Sequence, residues 1–178
     1  MVNLNVEPKI LFSEEQIKAR VKELAHDISK DYARKNPLIL ATLTGSVFFA
    51  TDLMRNLEFP IELDFIKASS YGSSDVSSGV VSLQYMPLIP LIGRHVIIIE
   101  DIIDTGATLD KLVTVLGTDK KNLPASLAVV CLLDKPSRRK VDLVPDYVGF
   151  SIPDTFVVGY GLDYNNRYRN LPDIRYFE

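Results

Sequence analysis

Two runs of apolar residues constrain the fold of this chain more than any other feature. One is HVIIIE, from His95 to Glu100, and the other is LAVVCLL, from Leu127 to Leu133. Strands that are apolar along their whole length are expected in parallel sheets whose two faces are both covered by helices. ATLDKLVTVLGT lies between them with the apolar spacing of a helix and with Gly117 as its expected end. The pattern therefore predicts a strand–helix–strand unit.

The rest of the chain shows the same alternation. Ser13 and Gln16 form a capping-box pattern, and the apolar spacing that follows predicts an amphipathic helix over residues 14–35. NPLILATL then predicts a buried strand, SVFFATDLMRNL a second helix and IELDFIKAS another strand. The tail from Asp146 to Glu178 is expected to hold short strands and an aromatic-rich loop. Together these elements predict one α/β domain, an open and mostly parallel sheet flanked by helices.

Composition excludes several classes of protein. The 178 residues carry a net charge of −3, so no global basic field attracts nucleic acid or anionic membranes, and an anionic ligand must be bound locally. MVNLNVEPKILF lacks the features of a signal peptide, and no apolar run approaches the ~18 residues of a membrane span. The single cysteine, Cys131, is expected to be a buried apolar residue rather than a catalytic thiol. These features predict a cytoplasmic protein.

Three carboxylates lie at or just after the end of the strand predicted at HVIIIE. Glu100 and Asp101 end it, and Asp104 directly precedes the turn of residues 105–108, Thr-Gly-Ala-Thr. In open α/β sheets this position presents the N-terminus of the next helix, whose backbone N–H groups favour a phosphate. Because carboxylates repel phosphate, the acids need another partner, either sugar hydroxyls or a divalent cation that bridges to a second anionic group. The pattern therefore indicates a phosphorylated sugar with vicinal hydroxyls.

Two other interpretations of these acids are less favoured. One Asp would be enough to cap a helix or to form a surface ion pair, whereas three acids lie within five residues here. A phosphorelay receiver domain also has an Asp pair after an apolar strand, but that strand is its first. Here two predicted strands and two predicted helices come earlier, and the DTGAT turn has no part in a receiver.

The acid-rich segment also carries a family resemblance. VIIIEDIIDTGATL closely resembles the phosphoribosyl pyrophosphate signature of type I phosphoribosyltransferases, in the form of the hypoxanthine-guanine branch. LTGS at residues 43–46 resembles the pyrophosphate loop of that family, and SSY at 69–71 resembles its mobile loop. LLDKPSRR resembles the turn with the purine-reading lysine, and PDYVGFSIPDTFVVGYGLDYNNRYRNLPDI resembles the C-terminal hood. The resemblance extends from Leu40 to Ile174.

This resemblance implies the type I phosphoribosyltransferase fold, with a core at about 36–145, a hood at about 1–12 and 146–178, and a mobile loop at about 69–81. It implies a purine-salvage enzyme that transfers the 5-phosphoribosyl group from phosphoribosyl pyrophosphate to hypoxanthine and/or guanine, giving IMP or GMP and pyrophosphate. Mg²⁺ would be the cofactor and the assembly a homodimer or homotetramer, without nucleic acid or membrane partners. Ser70 and Tyr71 would belong to the lid. From residues alone, a lid and a flexible surface hairpin explain the Ser/Gly-rich segment 69–81 equally well.

The resemblance assigns roles around the ribosyl donor. Asp104 would lie against the purine N7 as the acid/base residue. The 5-phosphoribosyl group would be bound by Glu100, Asp101, Asp104, Thr105, Gly106, Ala107 and Thr108. Pyrophosphate would contact Thr44, Gly45 and Arg169, the last chosen over Arg167 by the family pattern alone. Thr44 replaces a lysine found in many members, a change expected to alter affinity rather than abolish function.

It also assigns roles around the base. The purine would be bound by Lys135, Phe156, Val157 and Asp163, through the 6-oxo group, ring stacking and backbone atoms. Asp163 would support a second magnesium, so the implied metal-binding residues are Glu100, Asp101 and Asp163. A planar oxopurine needs an aromatic face and a donor to its carbonyl, which agrees with Phe156 and Lys135. Without the resemblance, the same two residues would be interpreted as ordinary core and as solvated surface.

Two rival functions are considered. A related enzyme could prefer xanthine or a pyrimidine, although the hood segment FVVGYGLDY favours a 6-oxopurine. A regulator with the same fold could sense the sugar phosphate and bind nucleic acid, but it would need a basic face or an added module. The only basic cluster here is KPSRRK, at residues 135–140, and the chain is acidic overall.

Overall fold

The structure is a computed structural model that describes residues 7–70 and 81–177. Its helices are α1 Glu14–Tyr32, α2 Val47–Asn56 and α3 Ala107–Thr118, and a single 3₁₀ turn is formed by Pro136–Arg138. Its strands are β1 Lys9–Phe12, β2 Leu38–Thr42, β3 Glu62–Ser70, β4 Val81–Tyr85, β5 His95–Ile103, β6 Ser126–Asp134, β7 Tyr147–Ser151, β8 Val157–Val158 and β9 Ile174–Tyr176. No helix in these ranges is long and apolar enough to cross a membrane.

Six strands form the main sheet, in the order β4-β3-β2-β5-β6-β7. Five neighbouring strands, β3, β2, β5, β6 and β7, pair in parallel, and β4 pairs antiparallel with β3 at the edge. This confirms the predicted open, mostly parallel sheet. Helices cover both faces of β5 and β6, which explains why these strands are apolar along most of their length.

Alternate residues of β5 pack against opposite helical layers. Ile97 and Ile99 belong to the core formed with α1 and α2, whereas Val96 and Ile98 belong to the core formed with α3. All four are fully buried, and burial of each such side chain stabilises the fold by about 1.5–3 kcal/mol. Cys131 on β6 is also fully buried, as predicted, and burial raises the pKa of its thiol.

Two helix ends differ from prediction. The capping box at the start of α1 is present, because Ser13 Oγ accepts from the backbone N–H of Gln16 and Gln16 Oε1 accepts from that of Ser13. α1 nevertheless ends at Tyr32 rather than at residue 35. A turn follows, in which the Lys35 N–H donates to the Tyr32 carbonyl at 2.9 Å, and Asn36 then adopts a left-handed conformation with a φ of 44°. α3 continues to Thr118, so Gly117 lies in its last turn and does not end it.

A second, antiparallel sheet joins the two ends of the described chain, in the order β1-β9-β8. Lys9 pairs with Tyr176, and Val157 pairs with the same residue from the other side. This small sheet corresponds to the expected hood, although β1 was not predicted from the residue pattern. The Tyr160 hydroxyl, which follows β8, donates to Asp52 Oδ2 on α2 at 2.7 Å. The hood is thereby tied to the helical layer beside the pyrophosphate loop.

Candidate active site

The acid pair ends β5 at the carboxyl edge of the sheet. Thr42 lies at the end of the neighbouring β2. Its hydroxyl has one proton to donate, which is shared between two acceptors, Glu100 Oε1 at 2.8 Å and the Ile99 carbonyl at 3.1 Å. Burial, followed by the negative charge of Asp101, raises the pKa of Glu100 well above its ordinary value. Burial and repulsion from Asp101 therefore disfavour the ionised form of Glu100. A cation or a set of donor hydroxyls at this position would relieve that repulsion.

The predicted pyrophosphate loop lies directly against this pair. The Leu43–Thr44 peptide bond is cis. The Thr44 side chain is exposed, whereas Gly45 is buried. A Cβ atom on Gly45 would come 1.6 Å from Asp101 Oδ2, so only glycine leaves this carboxylate where it is.

Residues 105–108 line one cavity. Gly106 has a φ of +80°, a left-handed conformation that favours glycine, and α3 begins at the next residue, Ala107. The N-cap residue, Gly106, has no side chain to cap the helix, and Thr105 Oγ1 accepts a long hydrogen bond of 3.4 Å from the backbone N–H of Ala107. A cavity of about 240 Å³ opens in front of it, bounded by Thr42, Leu43, Glu100, Ile102, Ile103, Asp104, Thr105, Gly106, Thr108, Leu109 and Leu112. A helix N-terminus that faces a cavity is suited to a phosphate group.

The second cavity has the features of a base-binding pocket. It measures about 260 Å³ and is lined by Asp101, Ile102, Asp104, Lys135, Phe156, Val157, Leu162 and Asp163. Lys135 is only 6% exposed, so it is not the solvated surface residue that sequence alone suggested. No hydrogen bond or ion pair engages its ammonium group within residues 7–70 and 81–177. An ammonium group at the wall of a cavity, on a side chain that is otherwise buried, is suited to a ligand with a hydrogen-bond acceptor.

Aromatic residues of the hood form one side of this second cavity. Phe156 is 39% exposed, which is too accessible for the ordinary core position that sequence alone favoured. Its ring meets Tyr164 edge-on at 5.5 Å between centroids, and Phe177 lies 6.2 Å away. The neighbouring Val157 is buried within β8. A rigidly supported and partly exposed ring is suited to stacking on a planar ligand.

Asp104 lines both cavities and therefore lies between the phosphate-binding turn and the base-binding pocket. Its carboxylate accepts a hydrogen bond from Arg138 Nε at 3.1 Å through Oδ1. Arg138 was not predicted as a site residue, nor was Thr42. Thr42 had a weak signal as a polar residue that ends an apolar strand, but nothing in the sequence marked Arg138.

Asp163 and Arg169 form an ion pair at the edge of the hood. Arg169 Nη2 lies 2.6 Å from Asp163 Oδ1, and Arg169 Nη1 donates to the Gly161 carbonyl at 2.6 Å. A Cβ on Gly161 would lie 2.1 Å from the Gly45 carbonyl, so this segment packs directly on the pyrophosphate loop. The structure thus brings Arg169 to the loop that the sequence predicted for it, whereas Arg167 is exposed.

Two predicted features are described only in part. Ser70 is the last residue of β3, and its backbone pairs with Val81. Tyr71 and most of the predicted mobile loop lie outside the described residues. Among the residues that are described, no three His, Cys, Asp or Glu side chains are close enough to hold a metal by themselves.

Comparisons with known proteins agree with this geometry. Residues 9–165 match the phosphoribosyl transferase domain family. The chain is 48% identical over 166 residues to the hypoxanthine-guanine phosphoribosyltransferase of Bacillus subtilis, covering 93% of this chain and 91% of the relative. It is 46% identical to the Streptococcus thermophilus enzyme of the same name, covering 92% and 89%.

Solved structures give the same result. A hypoxanthine phosphoribosyltransferase from Staphylococcus aureus superposes with a TM-score of 0.90 at 40% identity, covering 96% of this chain and 91% of that one. A hypoxanthine-guanine phosphoribosyltransferase from Bacillus anthracis superposes with a TM-score of 0.89 at 46% identity, covering 96% and 99%. The chain therefore belongs to the phosphoribosyltransferase family. Within it, the chain is a member of the hypoxanthine-guanine phosphoribosyltransferases, which are glycosyltransferases of purine salvage. The resemblance and the fold predicted from sequence are confirmed.

Proposed function

We propose that this enzyme transfers the 5-phosphoribosyl group from phosphoribosyl pyrophosphate to hypoxanthine and/or guanine, releasing pyrophosphate and forming IMP or GMP. One observation carries the assignment of the site: Asp104 and Ile102 line both the phosphate-binding cavity and the base-binding cavity. The bond that forms joins the anomeric carbon of the ribose to a purine nitrogen. A residue between the two ligands is at the right place to act on that bond.

The ribosyl donor is assigned to the first cavity. Its 5-phosphate would accept hydrogen bonds from the backbone and hydroxyl groups of Thr105, Gly106, Ala107 and Thr108 at the start of α3. Its ribose hydroxyls would donate to Glu100 and Asp101. This assignment is supported by the helix N-terminus that faces the cavity and by the adjacent acid pair, which needs donors or a cation.

Pyrophosphate is assigned to the edge where the loop of Thr44 and Gly45 meets Arg169. The guanidinium group would stabilise the leaving group, and Asp163 would exchange its contact with Arg169 for a contact with a metal ion. Glu100, Asp101 and Asp163 would hold Mg²⁺ together with substrate oxygens. Bound Mg²⁺ supplies neutralisation of the charge that develops on the departing pyrophosphate.

The purine is assigned to the second cavity. Lys135 would donate to the 6-oxo group, the ring of Phe156 would stack on the base, and backbone atoms of Val157 would read its edge. The low exposure of the Lys135 residue and its place on the cavity lining support this role, because the buried side chain holds the ammonium group at the cavity wall. Asp104 would accept or stabilise the proton that the purine loses at N7 as its other nitrogen attacks the ribose.

Chemistry at the anomeric carbon requires that water be excluded. Bond breaking ahead of bond making leaves an oxocarbenium-like ribosyl centre, which water would capture to give hydrolysis. Ser70 and Tyr71 belong, in this proposal, to a lid that closes over the bound substrates. The proposal also includes a cytoplasmic location, no nucleic acid or membrane partner, and assembly as a homodimer or homotetramer.

A panel of bases tests the proposal. The enzyme is incubated with phosphoribosyl pyrophosphate, Mg²⁺ and one base at a time, and pyrophosphate release is followed. We expect turnover with hypoxanthine or guanine and none with uracil or adenine. Turnover with a pyrimidine alone, or no turnover with any base, would contradict it.

A further inference from the structure

The turn of residues 135–140 braces the loop that carries Asp104. Its first and last backbone N–H groups donate to the carbonyl oxygens of Ile103 and Thr105, each at 3.0 Å. These two bonds hold the chain on both sides of Asp104. Because the bonds involve only backbone atoms, they fix the path of the loop and leave the carboxylate orientation to side chains.

Two consecutive arginines of this turn reach Asp104 in different ways. Arg139 donates through Nη1 to the Asp104 carbonyl at 3.2 Å, and its Nη2 forms an ion pair with Asp134. Arg138 donates instead to the carboxylate, through Nε to Oδ1 at 3.1 Å. The other carboxylate oxygen, Oδ2, has no hydrogen bond within the described part of the chain. Arg138 is therefore the side chain that orients this carboxylate.

Arg138 also connects to the hood. Its Nη1 atom lies 3.6 Å from Asp154 Oδ2, two residues before Phe156. Asp104 and Phe156 both line the base-binding cavity, whereas Arg138 and Asp154 do not. The guanidinium group thus links, from outside the cavity, the segments that form two of its walls.

We propose that Arg138 is a positioning residue for the transfer reaction. Arg138 holds Oδ1 of Asp104, so that Oδ2 stays available to the N–H of the purine. Through its ion pair with Asp154, it also fixes the position of the segment with Phe156 relative to that carboxylate. This inference rests on the acid/base role proposed above for Asp104. Charge-assisted hydrogen bonds orient a carboxylate more strongly than neutral ones, and alignment of a reacting group contributes directly to the rate.

Replacement of the guanidinium group tests the inference. At saturating phosphoribosyl pyrophosphate and Mg²⁺, we expect Arg138→Gln to lower kcat for hypoxanthine about tenfold, with Arg138→Lys within about threefold of the parent, because lysine keeps a charged donor. Lys140→Gln is the matched control, since it removes the same charge from the same turn while its backbone bond to Thr105 remains. Its kcat should be unchanged. The Arg138 side chain is 43% exposed, so all variants should keep the parental melting temperature.

A second set of variants, made in the Asp104→Asn enzyme, separates orientation of the carboxylate from general support of the fold. If Arg138 acts through that carboxylate, adding Arg138→Gln to Asp104→Asn costs no more than about twofold. The same tenfold loss in both backgrounds would overturn the inference, as would an Arg138→Gln variant that behaves like Lys140→Gln. Asp154→Asn, which removes only the anchor, should lower kcat about threefold in the parent and not in the Asp104→Asn background.

The same variants also show whether the acid/base role proposed for Asp104 is itself wrong. If Asp104→Asn alone keeps parental turnover, the acid/base assignment is wrong and the role of Arg138 falls with it. If Asp104→Asn loses turnover and Arg138→Gln keeps it, only the inference about Arg138 is wrong.

Discussion

Gly45 and Asp101, which are far apart in sequence, are in direct contact at the centre of the site. A Cβ on Gly45 would lie 1.6 Å from Asp101 Oδ2, and a Cβ on Gly161 would lie 2.1 Å from the carbonyl oxygen of Gly45. The pyrophosphate loop, the acid pair and the hood therefore meet at positions where no side chain fits. This packing sets where the Asp101 carboxylate can lie.

Gly45→Ala should displace that carboxylate without unfolding the protein, since a carboxylate at the end of a side chain can move. A shift of about 1 Å in a substrate-positioning group is expected to lower kcat/KM for phosphoribosyl pyrophosphate by about 10²-fold. Steady-state kinetics with this substrate varied would measure the effect. An unchanged kcat/KM would show that the contact has no role in binding the donor.

Gly117→Ala is the matched control for that substitution. Its Cβ would make an ordinary contact of 3.5 Å with Leu127 Cδ1, inside the last turn of α3. Kinetics should be unchanged, and the variant should be more stable by about 0.5–1 kcal/mol, since alanine loses less backbone entropy in a helix than glycine does.

Asp104→Asn should lower kcat by about 10²-fold or more, because an amide cannot accept the purine proton. Substrate binding should be largely kept, since the substitution is nearly isosteric. Rapid-quench or steady-state measurement of IMP formation gives kcat, and calorimetry gives affinity. Asp142→Asn, at an exposed carboxylate away from both cavities, should leave both unchanged. Near-parental turnover of Asp104→Asn would remove this residue from the chemistry.

Lys135→Ala should raise KM for hypoxanthine about tenfold or more, because the 6-oxo group loses its charged donor in a buried position. KM for phosphoribosyl pyrophosphate should change much less. Kinetics with each substrate varied in turn separate the two effects, and Lys140→Ala provides a control in the same turn. Equal losses for both substrates would argue against a base-reading role.

Glu100→Gln should stabilise the metal-free enzyme at neutral pH while abolishing efficient catalysis. Because burial and Asp101 raise the pKa of Glu100 in the folded state, the native protein binds this proton more tightly than the unfolded chain does. Glu100 therefore makes stability fall as pH rises above about 4.3, the pKa of an unperturbed glutamate. Gln lacks that dependence and keeps the acceptor for Thr42.

Thermal unfolding in EDTA tests whether Glu100 lowers stability as pH rises. The melting temperature of Glu100→Gln should exceed that of the parent at pH 7, and the two should converge below about pH 4, where glutamate is protonated in both states. Asp142→Asn, at an exposed carboxylate, should show no such pH-dependent gain. A variant less stable than the parent at pH 7 would indicate that Glu100 is not strained by its surroundings.

The sequence predicted the parts of the site that are contiguous in the chain. Glu100, Asp101 and Asp104 follow one apolar strand, and the turn of residues 105–108 opens one helix, so a local pattern carries their arrangement. The parallel sheet was also predictable, because strands with both faces covered must be apolar. Apolar spacing does not define where a helix ends, and α1 ends at Tyr32, before the predicted residue 35.

Contacts between distant segments were not predictable from local pattern. Lys135 is buried and shares a cavity wall with Phe156 and Val157 of the hood, whereas its sequence context alone resembles a solvated turn. Gly45 follows β2 and contacts Asp101 on β5. Arg138 follows β6 and contacts Asp104, which follows β5. Only the family resemblance indicated Lys135 beforehand, and nothing indicated Arg138.

A crystal structure of the enzyme with IMP would examine both cavities at once. We expect the 5-phosphate at the backbone N–H groups of residues 105–108 and the ribose hydroxyls at Glu100 and Asp101. The purine ring should stack on Phe156, with its 6-oxo group at Lys135 and N7 beside Asp104. IMP bound with its phosphate away from the start of α3, or with its base outside the cavity between Lys135 and Phe156, would contradict the proposed site.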